Sequence, residues 1–311
     1  MTDQSQQFSV PAIAAALGGA ACRFDIDVLA ECGSTNAELL ARAARGAPSG
    51  TVIVAERQTA GRGRMGREWI AAPGDSLTFS LLWRFPPATP LSGLSLAIGV
   101  AVARALEKVG RPLAAEGAPR SGGVATASGM RDAELRSADA ASASTVASPR
   151  AGPLLHASAS PGDTAPIQLK WPNDVLRDGR KLGGILIELQ SNTAAVIGIG
   201  LNLRLPAAMP DDVRAGAAAL DLPPDPNTLL ATVLAELLAV LDAFAAGGFA
   251  ALREEWLARH AWTGRPVRVL APHAVPIDGI CAGVGDDGAL LLETQTGTQR
   301  ILSGDISLRL A

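Results

Sequence analysis

Leu169-Lys170-Trp171-Pro172-Asn173-Asp174-Val175, followed by Gly179-Arg180-Lys181-Leu182-Gly183-Gly184-Ile185, is the stretch on which the reading of this chain turns. Three lysines stand against twenty-four arginines, and two of the three lie here. The two cations differ in use: ammonium is a compact point charge with three donors, guanidinium a flat fork. Lys170 sits beside Trp171 in an apolar run, where an unpaired cation would be costly. Either it snorkels from a strand end, or it is aimed at an anionic ligand group.

At 311 residues and 31.7 kDa, the chain has room for one large domain plus a small one, or two medium ones. A hydrophobic content of 48% with 18% charged residues describes a soluble globular protein. The formal charge of −3 and pI near 5.7 argue against bulk nucleic-acid binding, so any anion site must come from local clustering of cations. Cys22, Cys32 and Cys281 are odd in number and far apart, which fits a reducing cytoplasm better than a disulfide framework or a zinc site. The polar first residues lack the pattern of a signal peptide, and the apolar run over 229–252 is interrupted by Glu236 and Asp242. No membrane association is expected.

Residues 24–29 alternate as a strand, and Ser34-Thr35-Asn36 opens a helix in which Thr35 and Glu38 have capping-box spacing. Residues 51–56 and 77–83 read as buried strands. A helix over 91–109 puts Leu94, Ile98, Ala101, Val102, Ala105 and Leu106 on one face. Residues 114–165 are dense in Ala, Ser, Gly and Pro, and read as an insertion without catalytic duty. Strands follow at 167–171, 183–190 and 194–203, then an amphipathic helix over 227–244 and more helix over 252–262. From Gly264 the pattern becomes short strands at 266–270, 277–284, 289–293 and 299–303, with a hairpin signal at Gly285-Asp286-Asp287-Gly288. A small barrel appended to an α/β domain is the expected architecture.

A second informative stretch is Gly61-Arg62-Gly63-Arg64-Met65-Gly66-Arg67-Glu68-Trp69. Its glycines allow close backbone approach, its arginines can grip phosphate or carboxylate in bidentate fashion, and Trp69 can stack or close a lid. The Gly-Lys-Ser/Thr ending of a Walker loop is missing. Ser34, Thr35 and Asn36 offer hydroxyls and an amide, or plain capping. Gly184 lets bare backbone meet a nucleotide, or serves close strand packing. Asn202, after Gly198 and Gly200, is a structural bracket or a ligand contact. His156, His260 and His273 show neither metal spacing nor a nucleophile pattern.

Taken in order, Ser34-Thr35-Asn36, Gln58-Thr59-Ala60-Gly61-Arg62-Gly63-Arg64 with Trp69, Lys170-Trp171-Pro172-Asn173-Asp174, Lys181-Leu182-Gly183-Gly184-Ile185-Leu186 and Gly198-Ile199-Gly200-Leu201-Asn202 resemble the biotin protein ligase family. The closing Gly304-Asp305-Ile306-Ser307-Leu308-Arg309 is similar to that family's C-terminal barrel. The resemblance implies an α/β (α+β) fold: a class II synthetase-like mixed-sheet core, then an SH3-like barrel. It also implies an extension over 1–23, a catalytic domain over 24–262 interrupted at 114–165, and the barrel over 263–311. The implied activity is ATP-dependent attachment of biotin to a lysine of a biotin carboxyl-carrier protein through biotinyl-5′-AMP, with Mg²⁺.

By resemblance, Ser34, Thr35, Asn36 and Gln58 line the biotin end. Arg62, Gly63 and Arg64 close over the ligand, and Lys170 meets the biotin carboxylate and α-phosphate. Trp69 and Asn173 hold the adenine, with Gly184, Asn202 and Arg309 near the adenylate. Arg62, Arg64 and Lys170 are the expected catalytic cations, in a monomer or homodimer. Family members that repress transcription carry a DNA-binding domain of some sixty residues before the core, and the two dozen residues before Phe24 are too few for one, so a monofunctional ligase is expected. The rival readings are a lipoate or octanoate ligase, a non-catalytic biotin sensor and an RNA-binding module built on the arginine-glycine loop. Deleting residues 114–165 is expected to leave carrier labelling within a few-fold of the intact chain. A large loss of turnover in a stable deletion variant would give the insertion a role.

Overall fold

The computed structural model describes residues 7–110, 166–207, 209–220, 224–272 and 274–311; the insertion with His156, and His273, lie outside the described residues. Strand-forming runs build a seven-stranded mixed sheet. β1 (Asp25–Leu29) and β2 (Thr51–Ala55) are parallel and flank α2 (Thr35–Ala44) in the chain. β3 (Ser76–Arg84), β4 (Ile167–Lys170), β5 (Asp174–Arg177), β6 (Arg180–Ser191) and β7 (Ala194–Asn202) join antiparallel, in the order β1-β2-β3-β7-β6-β5-β4.

Strand residues two apart share a face. Leu77, Phe79, Leu81 and Trp83 of β3 therefore join Ile197, Ile199 and Leu201 of β7 in one core with α3 (Leu94–Gly110) and, after the short α4 (Asp211–Ala215), α5 (Pro226–Gly247). Each large side chain buried there contributes about 1.5–3 kcal/mol. The alternate residues turn to the opposite face, where α2 sets Leu39 and Ala43 on Ile53, Leu82 and Val196. Thr78, Gly198 and Gly200 on that face line a cavity. The six apolar residues read onto one face of α3 are all buried, and so are Leu96, Ala97, Val100 and Ala103 beside them. By length and composition α5 would suit a membrane, yet ten of its residues are buried inside the protein. Its buried Glu236 is paired with Lys108 and Arg104 of α3.

Residues before Phe24, read as an extension, contribute α1 (Val10–Leu17) and a 3₁₀ turn over Gly18–Arg23. Phe8, Ile13 and Leu17 are buried in the core, and α1 packs on α5. The Phe8 amide donates to Glu56 Oε1 at 2.9 Å and the Ser9 amide to Asn227 Oδ1 at 2.7 Å. Ile13 and Leu17 at i, i+4, with Pro11 in the first turn, carried that signal.

The capping box expected of Thr35 and Glu38 does not form. Ser34 is the N-cap and no side chain caps it; the Thr35 amide donates to Gln58 Oε1 at 2.8 Å, and Glu38 accepts from Arg42 at 2.9 Å. The three strands read between 167 and 203 are four. β4 and β5 form a hairpin around Trp171-Pro172-Asn173, whose Trp171–Pro172 peptide is cis. Asp178 (φ 52°) and Gly179 (φ 69°) then turn β5 into β6, the Asp-Gly signature of a two-residue hairpin.

A 3₁₀ turn over Phe249–Leu252 and α6 (Arg253–Arg259) replace the helix read over 252–262. The second sheet holds β8 (Pro266–Leu270), β9 (Ile277–Val284), β10 (Leu290–Thr294), β11 (Gly297–Ile301) and β12 (Ser307–Leu310), all antiparallel, in the order β11-β10-β9-β8-β12. This is the expected SH3-like domain, with the Gly285–Gly288 turn between β9 and β10 and with β12 unread as a strand in the sequence. Its Val267, Val269, Cys281, Leu290, Leu292 and Leu308 share the main core, and Trp171 Nε1 donates to the Gly288 carbonyl at 3.1 Å.

His260, after α6, stacks on Trp256 with ring centroids 4.4 Å apart and shares a 2.9 Å hydrogen bond with Thr263. Burial lowers its pKa from 6.5 to about 4. Below pH 6.5 the unfolded chain takes a proton that folded His260 refuses, so stability falls as pH drops from 6.5 towards 4, by up to about 3 kcal/mol. His260→Gln is expected to lose less stability than the parent over that interval. Parallel urea unfolding curves at pH 7 and pH 5 check this.

Candidate active site

All thirteen residues nominated from the sequence line one cavity of about 560 Å³. It lies over the α2 face of the seven-stranded sheet, with one wall from Ile306, Ser307, Leu308 and Arg309 of the second domain. Six cationic side chains line it (Arg62, Arg64, Arg67, Lys170, Lys181 and Arg309) against two carboxylates, Glu68 and Asp174. A chain of formal charge −3 thus concentrates positive charge at one concavity, which focuses an anion-attracting field there.

The hairpin register places Lys170 opposite Asp174, and the β5–β6 pairing brings Lys181 alongside. Lys170 Nζ lies 3.0 Å from Asp174 Oδ2, and Lys181 Nζ 2.7 Å from Oδ1. Burial pulls the Lys170 ammonium below its ordinary range, partly offset by the charge and hydrogen bond of Asp174, while Arg309 and Lys181 add to the lowering. Burial would raise the Asp174 carboxyl, but the two lysines outweigh it and hold the group below the usual carboxylate range. The snorkelling alternative fails for Lys170, whose side chain is only 12% exposed.

Arg64 donates to Asn173 Oδ1 at 3.3 Å and to the Gly304 carbonyl, so the glycine-arginine loop spans both domains. Burial lowers the Arg64 pKa, against the raising charges of Asp174 and Asp305. Asn173 is itself fixed, its Nδ2 donating to the Ile185 carbonyl at 2.8 Å. Arg62 is exposed and lines the cavity close to Gly63.

At the other end, the Ser80 hydroxyl donates to Asn36 Oδ1 at 2.6 Å and lies 2.8 Å from Thr35 Oγ1. Asn36 Nδ2 donates to Glu188 Oε2 at 2.8 Å, and Gln58 Oε1 faces Thr35. This end is polar but uncharged at its surface, with Ser34 beside it. Asn202 brackets two segments, its Nδ2 donating to the Ala218 carbonyl at 3.0 Å and the Lys181 carbonyl at 3.4 Å, and it also lines the cavity.

The glycines of Gly198-Ile199-Gly200 are explained by close approach. A Cβ on Gly198 would stand 2.2 Å from Asn36 Oδ1, and one on Gly200 2.6 Å from the Trp69 ring. The Trp69 indole lies over bare backbone, with its Nε1 buried and lacking a protein partner. A buried unsatisfied donor costs about 1–3 kcal/mol, so this N–H would gain from an acceptor. Sequence reasoning passed over Ser80 and Glu188 as members of the polar end, and Asp174 as the bridge between the lysines. Ser80 was signalled by alternation, as a polar residue among Leu77, Phe79 and Leu81.

Residues 32–202 match the Biotin/lipoate A/B protein ligase family, and residues 263–309 match the Biotin protein ligase C terminal domain. The first match spans more than half of the chain, which belongs to the Biotin/lipoate A/B protein ligase family. Among curated relatives, the chain is 35% identical to "Biotin--[acetyl-CoA-carboxylase] ligase" of Mycobacterium tuberculosis, over 90% of this chain and 88% of the relative. It is 32% identical to "Bifunctional ligase/repressor BirA" of Escherichia coli, over 92% of this chain and 74% of the relative. Among solved structures, the biotin protein ligase of Aquifex aeolicus in complex with biotin and ATP is 27% identical and superposes with a TM-score of 0.67, covering 92% of this chain and 99% of that one.

Gly198→Ala is expected to push Asn36 aside and destabilise the fold by about 1–3 kcal/mol. Gly200→Ala meets a loop side chain that can swing away, and should change tryptophan emission at little cost in stability. Thermal melts with emission spectra separate the two.

Proposed function

We infer that the chain activates biotin with ATP as biotinyl-5′-AMP and transfers the biotinyl group to a lysine of a biotin carboxyl-carrier protein. The observation that carries this reading is the Lys170–Asp174–Lys181 bridge at the centre of a cationic cavity that has an uncharged polar end. A carboxylate and a phosphate 4 Å apart repel by about 4 kcal/mol at an effective dielectric constant of 20. The cations offset that repulsion where it arises.

In the first step a biotin carboxylate oxygen bonds to the α-phosphorus, and the bond from that phosphorus to the bridging oxygen of pyrophosphate breaks. Lys170 lies between the two reacting anions, and Arg62 and Arg64 close the loop over them. Trp69 and Asn173 hold the adenine, while Ser34, Thr35, Asn36 and Gln58 take the ureido end of biotin. Arg309, Asn202 and the bare backbone of Gly184 complete the adenylate's surroundings. In the second step the neutral carrier amine attacks the acyl carbon, AMP leaves with the bonding pair, and the amine's extra proton passes to solvent. The adenylate is prone to hydrolysis, which gives loop closure its use.

Magnesium belongs to this scheme only as part of the nucleotide substrate. Among the described residues no group of three or more His, Cys, Asp or Glu is placed to hold a metal, and Asp174 is engaged by two lysines. Mg²⁺ usually binds through phosphates and waters with one or two carboxylates. The free thiols of Cys22, Cys32 and Cys281 agree with work in the cytoplasm, where ATP is abundant. Biotin is favoured over lipoate by the match of the second domain, since Ile306 to Arg309 of that domain line the cavity.

Lys170→Ala is expected to cut pyrophosphate release at least 10²–10³-fold, the usual cost of one preorganised donor. Lys181 still pairs with Asp174 in that variant, so the fold should survive. Near-normal release by the folded variant would defeat the assignment. The activity as a whole is tested by incubation with ATP, biotin or lipoate, and a carrier domain, followed by the carrier's mass. Labelling by lipoate in place of biotin overturns the choice of substrate.

A further inference from the structure

Lys170 is largely withdrawn from solvent, with a side chain 12% exposed, yet among the described residues its one carboxylate partner, Asp174, is shared with Lys181, and Arg309 adds a further positive charge nearby. Something else must stabilise the ammonium while leaving it able to meet an incoming anion. The ring of Trp262 stands 4.8 Å from Lys170 Nζ, well within the range over which an aromatic face attracts a cation. Trp262 is held in turn by the chain around it. The Ala261 amide donates to the Leu169 carbonyl at 2.9 Å, residues 260 and 169 form a parallel bridge along the edge of β4, and His260 is stacked on Trp256. Trp262 falls between the two family-matched stretches, 32–202 and 263–309.

We propose that Trp262 is a positioning residue for the ligation reaction, its ring holding the Lys170 ammonium charged and aimed into the cavity. A ring quadrupole does this without a formal negative charge, so it competes with neither the biotin carboxylate nor the phosphate for the lysine's donors. A second carboxylate in its place would neutralise the lysine. The proposal rests on the reading of Lys170 given above.

The test compares Trp262→Leu, Trp262→Phe and Lys170→Ala in the full chain, by pyrophosphate release from pH 7 to pH 10. Among the described residues, the groups acting on the Lys170 charge are Asp174, Lys181, Arg309 and Trp262, and only the last is changed in the first two variants. Losing the ring removes a preference for the charged lysine. Trp262→Leu should therefore lower kcat about 5- to 30-fold and move the alkaline limb of the profile down by about one pH unit. Trp262→Phe should retain most of the rate and the limb.

An unmoved alkaline limb in Trp262→Leu, with Lys170→Ala inactive, overturns the role of the ring and leaves the reading of Lys170 standing. Full activity of Lys170→Ala overturns both. Should Trp262→Leu fail to fold, Trp262→pentafluorophenylalanine is compared with Trp262→Phe, since the two rings have similar shape and opposite quadrupoles. A downward limb shift on fluorination supports the proposal, and coincident profiles overturn it.

Discussion

The site is organised by one carboxylate between two ammonium groups. Asp174 and Lys170 are largely withdrawn from solvent, and either charge alone there would be costly, whereas Lys181 reaches in from a more exposed position. Together they form a triad whose net charge is positive, held in register by two hairpins that neighbour each other in sequence. The constraint runs outward from there. Lys170 ends β4, Asp174 begins β5 and Lys181 lies near the start of β6, so the tight turn at Asp178-Gly179 sets how closely the second lysine approaches. Gly184 in β6 lies directly against the triad, where a Cβ would stand 3.2 Å from Lys181 Nζ.

Much of the fold was legible in the sequence because the signals were local. The α3 face, the α5 stripe and the β-branched run at 51–55 are read directly from periodicity, and the Gly285–Gly288 hairpin from composition. What escaped is equally instructive. α1 is short and small-sided, and only its contacts with α5 make it part of the core. The Asp178-Gly179 turn lies between two stretches read for chemistry, so β5 was given no element. The capping box failed because Gln58, 23 residues away in sequence, supplies the oxygen that Thr35's amide needs.

Of the site, the residues carried by motifs converge on one cavity, and those absent from the prediction act through them. Ser80 and Glu188 touch Asn36 from β3 and β6, and no spacing rule links residues 36, 80 and 188. Asn202 was left open between bracket and ligand contact; its amide nitrogen ties two backbone carbonyls, and the residue still lines the cavity wall. Gly198 and Gly200 were given no role of their own, and only their neighbours Asn36 and Trp69 account for them.

The cavity wall formed by Ile306 to Arg309, with the Trp171–Gly288 hydrogen bond behind it, has a consequence for engineering. The two halves of this chain build one cavity between them. A hybrid assembled from the front of one homologue and the tail of another would inherit mismatched walls in its own cavity. Exchange at that joint would therefore succeed only where the tail's last strand and the turn beneath Trp171 travel as a matched set with the sheet they complete.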